Sequence, residues 1–273
     1  MITPINQSNE QRAAFAFTQQ SIVFDTLYAG NSIVHYKRKR VRDHLLQHLL
    51  PQSRILELNA GTGDDAIFFA QLGHFVHATD IAIGMQQKLK DKVAAQQLTM
   101  QVSNELCSFT ELGRLKDKGP YDAIFSNFAG LNCTGELETV LDSFDALLKP
   151  GGTVVLVMLP PFCFWETALL LKGKFKTATR RFFSGAGRKA KIDGAAFTCW
   201  YYAPHDITSR LKGKFDLLAI EGLCTIVPPS YIENFPEKYP GVFSWLCKME
   251  DRLKNKWPWK YTGDYFIISL KKK

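Results

Sequence analysis

Between residues 53 and 160, short apolar runs alternate with stretches of helical period, and this alternation leaves few architectures open. Strands are predicted at 54–58, 75–79, 98–102, 123–126 and 153–159. Leu137, Val140, Leu141, Phe144, Leu147 and Leu148 share one helical face, and Met85, Leu89 and Val93 share another. Pro150-Gly151-Gly152 ends the longer helix and turns the chain into the next strand. Apolar strands separated by amphipathic helices imply an α/β fold whose parallel sheet is covered on both faces. Downstream, a helix at 204–211 and strands at 215–221 and 264–270 resume the pattern.

Composition removes the other classes. With 46% hydrophobic and 22% charged residues in 273, the chain is neither disordered nor fibrous. Its longest apolar run, 154–159, falls well short of the ~20 residues that span a bilayer. The first twenty residues carry Glu10 and Arg12 and lack a basic-then-apolar leader, which predicts no secretory signal. Six scattered cysteines without a C-x-x-C pair read as reduced thiols in a cytoplasmic protein with no metal site. The net charge of +8 is local: eight basic residues and no acid lie between Lys172 and Lys191, and Lys271, Lys272 and Lys273 end the chain. Such clustering argues against a chain-wide nucleic-acid footprint. Residues 37–40 and Arg42 lie opposite the Val41, Leu45, Leu46, Leu49 and Leu50 stripe and are predicted to be solvated. His44 and His48 are placed on the same polar side.

The first strand runs into Glu57-Leu58-Asn59-Ala60-Gly61-Thr62-Gly63-Asp64-Asp65-Ala66. Gly61-x-Gly63-x-x-Ala66, with Asp80 closing the next strand, formally satisfies the dinucleotide fingerprint. A dinucleotide would seat its pyrophosphate on the helix N-terminus. Here Asp64 and Asp65 occupy that turn, where they suit the helix dipole and would repel a diphosphate. Glu57, just before the loop, suits a cationic centre. The expected ligand has a ribose, an adenine, a positive charge and no phosphate, which describes S-adenosylmethionine.

These residues resemble the first motif of the class I S-adenosylmethionine-dependent methyltransferases, acid-x-x-x-G-x-G, with Asn59 where glycine is commoner. Ala78-Thr79-Asp80-Ile81 is similar to the second motif, whose acid binds the ribose hydroxyls. Met85 falls where the family packs an apolar side chain near the adenine. Tyr121-Asp122-Ala123-Ile124-Phe125-Ser126-Asn127-Phe128 resembles the fourth motif, which ends beside the reacting methyl group. The resemblance implies a Rossmann-like sheet of seven mostly parallel strands, helices on both faces, an antiparallel last strand and inserted cap segments. It further implies in-line methyl transfer from S-adenosylmethionine to a small, partly apolar acceptor, leaving S-adenosylhomocysteine. The family usually has an acid after the third strand, beside the adenine amino group; here Cys107 or Ser108 takes that place, with Glu105 as the alternative.

The resemblance thus implies cofactor contacts from Glu57, Asn59, Ala60, Gly61, Gly63, Asp80, Ile81, Met85, Cys107, Ser108, Asn127 and Phe128. Tyr28 and Tyr36 are added from the segment that closes over the site. Asn127, Phe128 and Asn132 are expected to line the transfer site, and Asn127, His35, Tyr201 and His205 are the catalytic candidates. A single domain, 1–273, is expected: a helical lid at 1–52, a cofactor-binding core at 53–160, and substrate-cap insertions at 161–200 and 228–260. An aromatic set including Phe162, Trp165, Phe182, Phe183, Trp200, Tyr201 and Tyr202 packs the cap or lines a substrate pocket. The basic stretch either steers an anionic acceptor or forms a solvated lid. No proline follows Asn127, which disfavours methylation of nucleobase amines. Two other readings stay open: a non-catalytic adenosyl-binding module, and an NAD-dependent oxidoreductase on a similar sheet.

Overall fold

The structure is a computed structural model that describes residues 8–182, 185–232 and 234–273, without the side chains of Lys172 and Thr177. Phe183 of the aromatic set and the side chain of Lys172 in the basic stretch therefore lie outside the described residues. Three helices come first: α1 (Asn9–Gln20), α2 (Phe24–Ala29) and α3 (Ser32–Leu46). The core follows as β1 (Arg54–Leu58), α4 (Asp64–Gln71), β2 (Phe75–Asp80), α5 (Ile83–Ala95), β3 (Val102–Leu106), β4 (Tyr121–Ser126), α6 (Leu137–Leu147) and β5 (Leu148–Met158). Then come α7 (Phe164–Ala168), α8 (Phe175–Ala178), the hairpin β6 (Arg188–Ile192) and β7 (Ala195–Cys199), and α9 (Pro204–Arg210). The chain ends with β8 (Phe215–Leu223), α10 (Phe235–Lys238), α11 (Pro240–Leu253) and β9 (Tyr265–Lys272).

Seven strands form one sheet in the order β3-β2-β1-β4-β5-β9-β8. Only β9 runs against its neighbours in this sheet, β5 and β8. Alternate side chains of each strand feed opposite faces, as a covered parallel sheet requires. Leu56, Leu58, Ile124 and Leu156 pack with the apolar stripe of α6 and with Ile207 and Leu211. On the other face Ile55, Ala78, Phe125 and Val155 meet Val41 and Leu45 of α3, Phe69 of α4, and Leu89 and Val93 of α5. The strand order reverses between β1 and β4, so their carboxyl ends open the crevice where sheets of this kind hold ligands.

One strand departs from the pattern. Apolar residues at 98, 100 and 102 suggested a strand at 98–102, but residues 98–101 turn and Met100 is exposed. The strand is Val102–Leu106, whose VSNEL sequence is mostly polar because β3 is an edge with little to bury.

The charge run on α3 is also unlike its predicted solvated face. Lys37 and Arg40 are buried, as is His44. Arg40 donates to Glu221 at 3.0 Å and lies 3.5 Å from Glu250. Glu250, on α11, accepts the backbone N–H groups of Cys224, Thr225, Ile226 and Val227 at 2.8–3.1 Å. Burial raises the Glu250 carboxyl despite these partners. Burial opposes ionisation of Glu221 as well, but His44, Arg40 and Lys254 hold it down to about 2. The segment 228–260 is thereby bolted to α3 and the end of β8, and none of its residues lines the cavity described below. In the basic stretch, Arg181 is buried between Glu166 and Asp264, 2.6 Å from each. Arg180 pairs with Glu166 too, so this part of the stretch is neither a free steering surface nor a solvated lid.

Candidate active site

A cavity of about 860 Å³, mouth included, lies over the carboxyl ends of β1, β2 and β4. Its floor is the glycine loop. Asn59, Gly61 and Gly63 all have positive φ (48°, 57° and 85°). Glycine carries no steric penalty there, and Asn59 tolerates the conformation because its short amide is anchored: Nδ2 donates to the Asn127 carbonyl at 2.8 Å and Oδ1 accepts the Ser126 hydroxyl at 2.6 Å. Gly63 also admits Leu89, which a Cβ would meet at 2.6 Å. Asp80 pins the loop from the side, one carboxylate oxygen accepting Gly61 N–H at 2.9 Å and the other Ala82 N–H at 2.8 Å. Each oxygen keeps a second lone pair for a ligand.

One end of the cavity is polar. Glu57 is 2% exposed, and its Oε2 has no hydrogen-bond partner. Burial, then the neighbouring Asp65 carboxylate, pushes its carboxyl well above the usual range. Arg38 of α3 lines the same end with its Nε likewise unpartnered. Asp64 and Asp65 face the cavity but are compensated: Asp64 pairs with Arg38 and Lys92, and Asp65 pairs with Arg42 at 2.6 Å. Burial works against ionisation of Asp64, yet Arg38 and Lys92 hold its carboxyl below its ordinary value. These acids therefore do not present the bare negative charge that the repulsion of a diphosphate assumed. Glu57, by contrast, has no ion-pair partner among the described residues.

The other end is apolar, formed by Ile81, Met85, Phe109 and Cys133. Over it lies α1, contributing Glu10, Ala13, Ala14 and Phe17, while α2 contributes Phe24. Glu10 latches α1 shut by accepting three hydroxyls: Ser108 at 2.5 Å, Thr110 at 2.9 Å and Thr134 at 2.9 Å. From outside, Asn9 fixes α1 to the hairpin through Thr198 O and Thr198 N–H, and to the segment after β4 through Cys133 O. Asp25 of α2 accepts Thr62 and Lys92, which ties the second helix to the glycine loop.

Of the residues expected at the site, Glu57, Asn59, Ala60, Gly61, Asp80, Ile81, Met85, Asn127 and Phe128 line the cavity. Gly63 does not line it but shapes the loop beneath. Several others lie elsewhere. Ser108 is turned to Glu10 and caps the turn after β3, Cys107 donates to the Ser108 carbonyl, and Phe109 lines the cavity instead. Glu105 is engaged at the sheet edge by Lys116 N–H. The Tyr28 ring packs on Phe24, which takes the lining position. The Tyr36 hydroxyl accepts from Arg40 and its ring packs on Phe243. His35 is exposed and its Nε2 lies 2.6 Å from Ala29 O. His205 is exposed at the start of α9. Tyr201 packs under Arg181 and borders a separate groove with Trp200 and Tyr202. Asn132 is fully buried and clamps Leu159 and Trp200 rather than facing the transfer site. Asn127 donates to Asp65 at 2.7 Å, so its amide is held at the polar end.

A cluster of Cys163, Glu166 and Asp264 has ligand atoms within 4.8 Å of one another. Both carboxylates are taken by Arg181, and its guanidinium would repel a cation placed there.

A seven-stranded doubly wound sheet, with a glycine loop and two carboxylates at its switch point, defines an α/β protein with a ligand crevice in the place such sheets use. Residues 55–152 match the methyltransferase domain family. A hybrid PKS-NRPS synthetase of Penicillium oxalicum is 32% identical over 114 residues, which make up 40% of this chain and 3% of the synthetase. The chain thus spans a small fraction of that relative. Among solved structures, a phosphoethanolamine N-methyltransferase of Haemonchus contortus bound to S-adenosylhomocysteine aligns with a TM-score of 0.63. It is 14% identical, covering 99% of this chain and 61% of that one. The 1,6-didemethyltoxoflavin N1-methyltransferase of Burkholderia thailandensis aligns at 0.57 and 15% identity over 100% and 93% of the two chains. Residues 55–152 thus match a methyltransferase domain, and the chain as a whole shares its fold with solved S-adenosylmethionine-dependent methyltransferases.

Proposed function

We propose that this chain transfers a methyl group from S-adenosylmethionine to a small, partly apolar molecule. The observation that carries the reading is the pair of unpartnered buried atoms at the polar end, Glu57 Oε2 and Arg38 Nε. An acid and a guanidinium lining the same cavity, each with an unpartnered buried atom, suit the ammonium and carboxylate of an amino-acid tail. Asp80 suits two vicinal ribose hydroxyls, and the Ile81, Met85 and Phe109 slot suits a flat base. The bound cofactor supplies a methyl group already activated on a sulfonium. This chain's residues then contribute alignment, which is worth effective molarities up to ~10⁵ M or more. Together α1 and α2 exclude water from the transfer site, with Glu10 as the latch. Since His35, Tyr201 and His205 lie away from the cavity, the reading assigns no general base. An acceptor that loses its proton readily is the better fit.

The segment 1–52 is read as the lid. The hairpin at 188–199 braces that lid from outside, and 228–260 braces α3. A small-molecule rather than nucleic-acid acceptor is supported by the ion-paired state of Arg180 and Arg181. A cytoplasmic setting is supported by six free thiols. No helix among the described residues is long and apolar enough to cross a membrane. The test is production of S-adenosylhomocysteine when the purified chain is given the cofactor and a library of small acceptors. Intact cofactor binding with no turnover on any acceptor would favour the binding-module reading.

Glu57→Gln separates binding from stability. Because burial raises the Glu57 carboxyl in the folded chain, the folded state binds its proton more tightly than the unfolded chain does. The resulting stability is complete below the unfolded pKa of about 4.3 and is lost as pH rises toward the folded value. The glutamine variant escapes that loss, so at pH 7–8 its melting temperature should equal or exceed the wild type's. Its affinity for S-adenosylhomocysteine should fall about tenfold or more, the cost of one charge-assisted hydrogen bond. Unchanged affinity by calorimetry would remove Glu57 from the site.

A further inference from the structure

Lys37 differs from the other basic residues of α3. Arg38, Arg40 and Arg42 all pair with carboxylates. Lys37 is 2% exposed, and its only hydrogen-bond partner among the described residues is the Ser230 hydroxyl, at 3.0 Å. Its ammonium otherwise faces aromatic rings, 4.7 Å from the centre of Tyr265 and 5.4 Å from that of Phe128. Those contacts recover part of the cost of burial, but a buried charge without an anion is among the most expensive arrangements a fold can hold.

The place of this cation gives the cost a use. Phe128 follows β4 and lines the cavity, so Lys37 stands behind that part of its wall. Tyr265 opens β9, packed edge-to-face on Phe128 at 6.2 Å. The Ser230 hydroxyl accepts from Lys37 and keeps its own proton to donate. Ammonium, hydroxyl and the Tyr265 ring are grouped behind Phe128, the one of the four that lines the cavity, and supply two hydrogen-bond donors there.

We propose that Lys37, with Ser230, receives the anionic group of the methyl acceptor, a carboxylate or a phosphate, and so selects acidic acceptors. This deepens the methyl-transfer reading and rests on it. An anion docked there is fixed by charge-assisted hydrogen bonds, and the remainder of the acceptor extends past the edge of Phe128 toward the donor end of the cavity. Lys37 is then a specificity residue, not part of the cofactor contacts.

The test uses the full chain saturated with S-adenosylhomocysteine. Sodium phosphate and sodium benzoate are titrated separately at constant ionic strength, with binding read by thermal shift and calorimetry. The wild type is expected to bind at least one of the two, and which one distinguishes a phosphate from a carboxylate acceptor. Lys37→Met should lose that binding by about tenfold or more, with S-adenosylhomocysteine affinity unchanged and a melting temperature no lower than the wild type's. Lys37→Arg should retain the response, and Ser230→Ala should weaken it severalfold. Neither anion binding to the wild type, or either binding equally to Lys37→Met, would overturn the proposal. Failure of the wild type to bind S-adenosylhomocysteine, with a Lys37-dependent anion response still present, would instead overturn the methyl-transfer reading.

Discussion

Replacing Asp80 by alanine is expected to abolish detectable binding of S-adenosylhomocysteine, a loss of about 100-fold or more in affinity. Two consequences combine. In the proposed function the carboxylate meets the ribose, and in the structure it also accepts Gly61 N–H and Ala82 N–H. Hydrogen bonds to a charged acceptor contribute about 1.5–3 kcal/mol each, and two orders of magnitude correspond to about 2.7 kcal/mol. Losing the ligand contact therefore suffices, and loosening of the glycine loop adds to it. Asp80→Asn separates the contributions. The amide oxygen can still hold one backbone N–H, so this variant should stay folded while binding remains weak. Calorimetry on both variants, with circular dichroism to confirm folding, checks the prediction. Wild-type affinity in Asp80→Asn would mean that the carboxylate serves the loop alone.

The second large effect concerns stability. Glu250→Ala removes the acceptor of four backbone N–H groups and leaves the buried Arg40 with Glu221 and the more exposed Asp251. Breaking a buried network of this kind costs about 3–5 kcal/mol, which for a chain of this size lowers the melting temperature by roughly 10 °C. The effect reaches the site through α3, because Arg40 and Arg38 share that helix, so cofactor affinity should fall modestly as well. Denaturant unfolding gives the direct measure, and a change below about 1 kcal/mol would show that Arg40 finds other partners without loss.

The parts of this protein visible in its sequence are those built from neighbours in the chain. The run from Glu57 to Gly63 and the acid closing β2 are local motifs, and their residues meet because one strand, one turn and one helix bring them together. The lid is different. Glu10 reaches Thr134, Thr110 and Ser108 across roughly a hundred residues, and nothing near Glu10 announces those partners. Phe17, Phe24 and Phe109 join the cavity for the same reason. The α3 charge run was misjudged because its counter-ions, Asp64, Asp65, Glu221 and Glu250, lie on other elements; on the helix alone, a polar face reads as a wet one. The third strand was displaced because periodicity reports burial, and an edge strand buries little. The expected repulsion at residues 64 and 65 failed similarly, since Arg38, Arg42 and Lys92 were not available to a local reading.

The case for a cationic ligand centre rests on Glu57, a buried carboxyl group with one oxygen unpartnered at the polar end of the cavity. The most direct measurement is isothermal titration calorimetry of the wild-type chain with S-adenosylhomocysteine and, separately, with NADH. Saturable one-site binding of S-adenosylhomocysteine and no heat from NADH is the expected result. Saturable binding of NADH, with none of the adenosyl ligand, would contradict it.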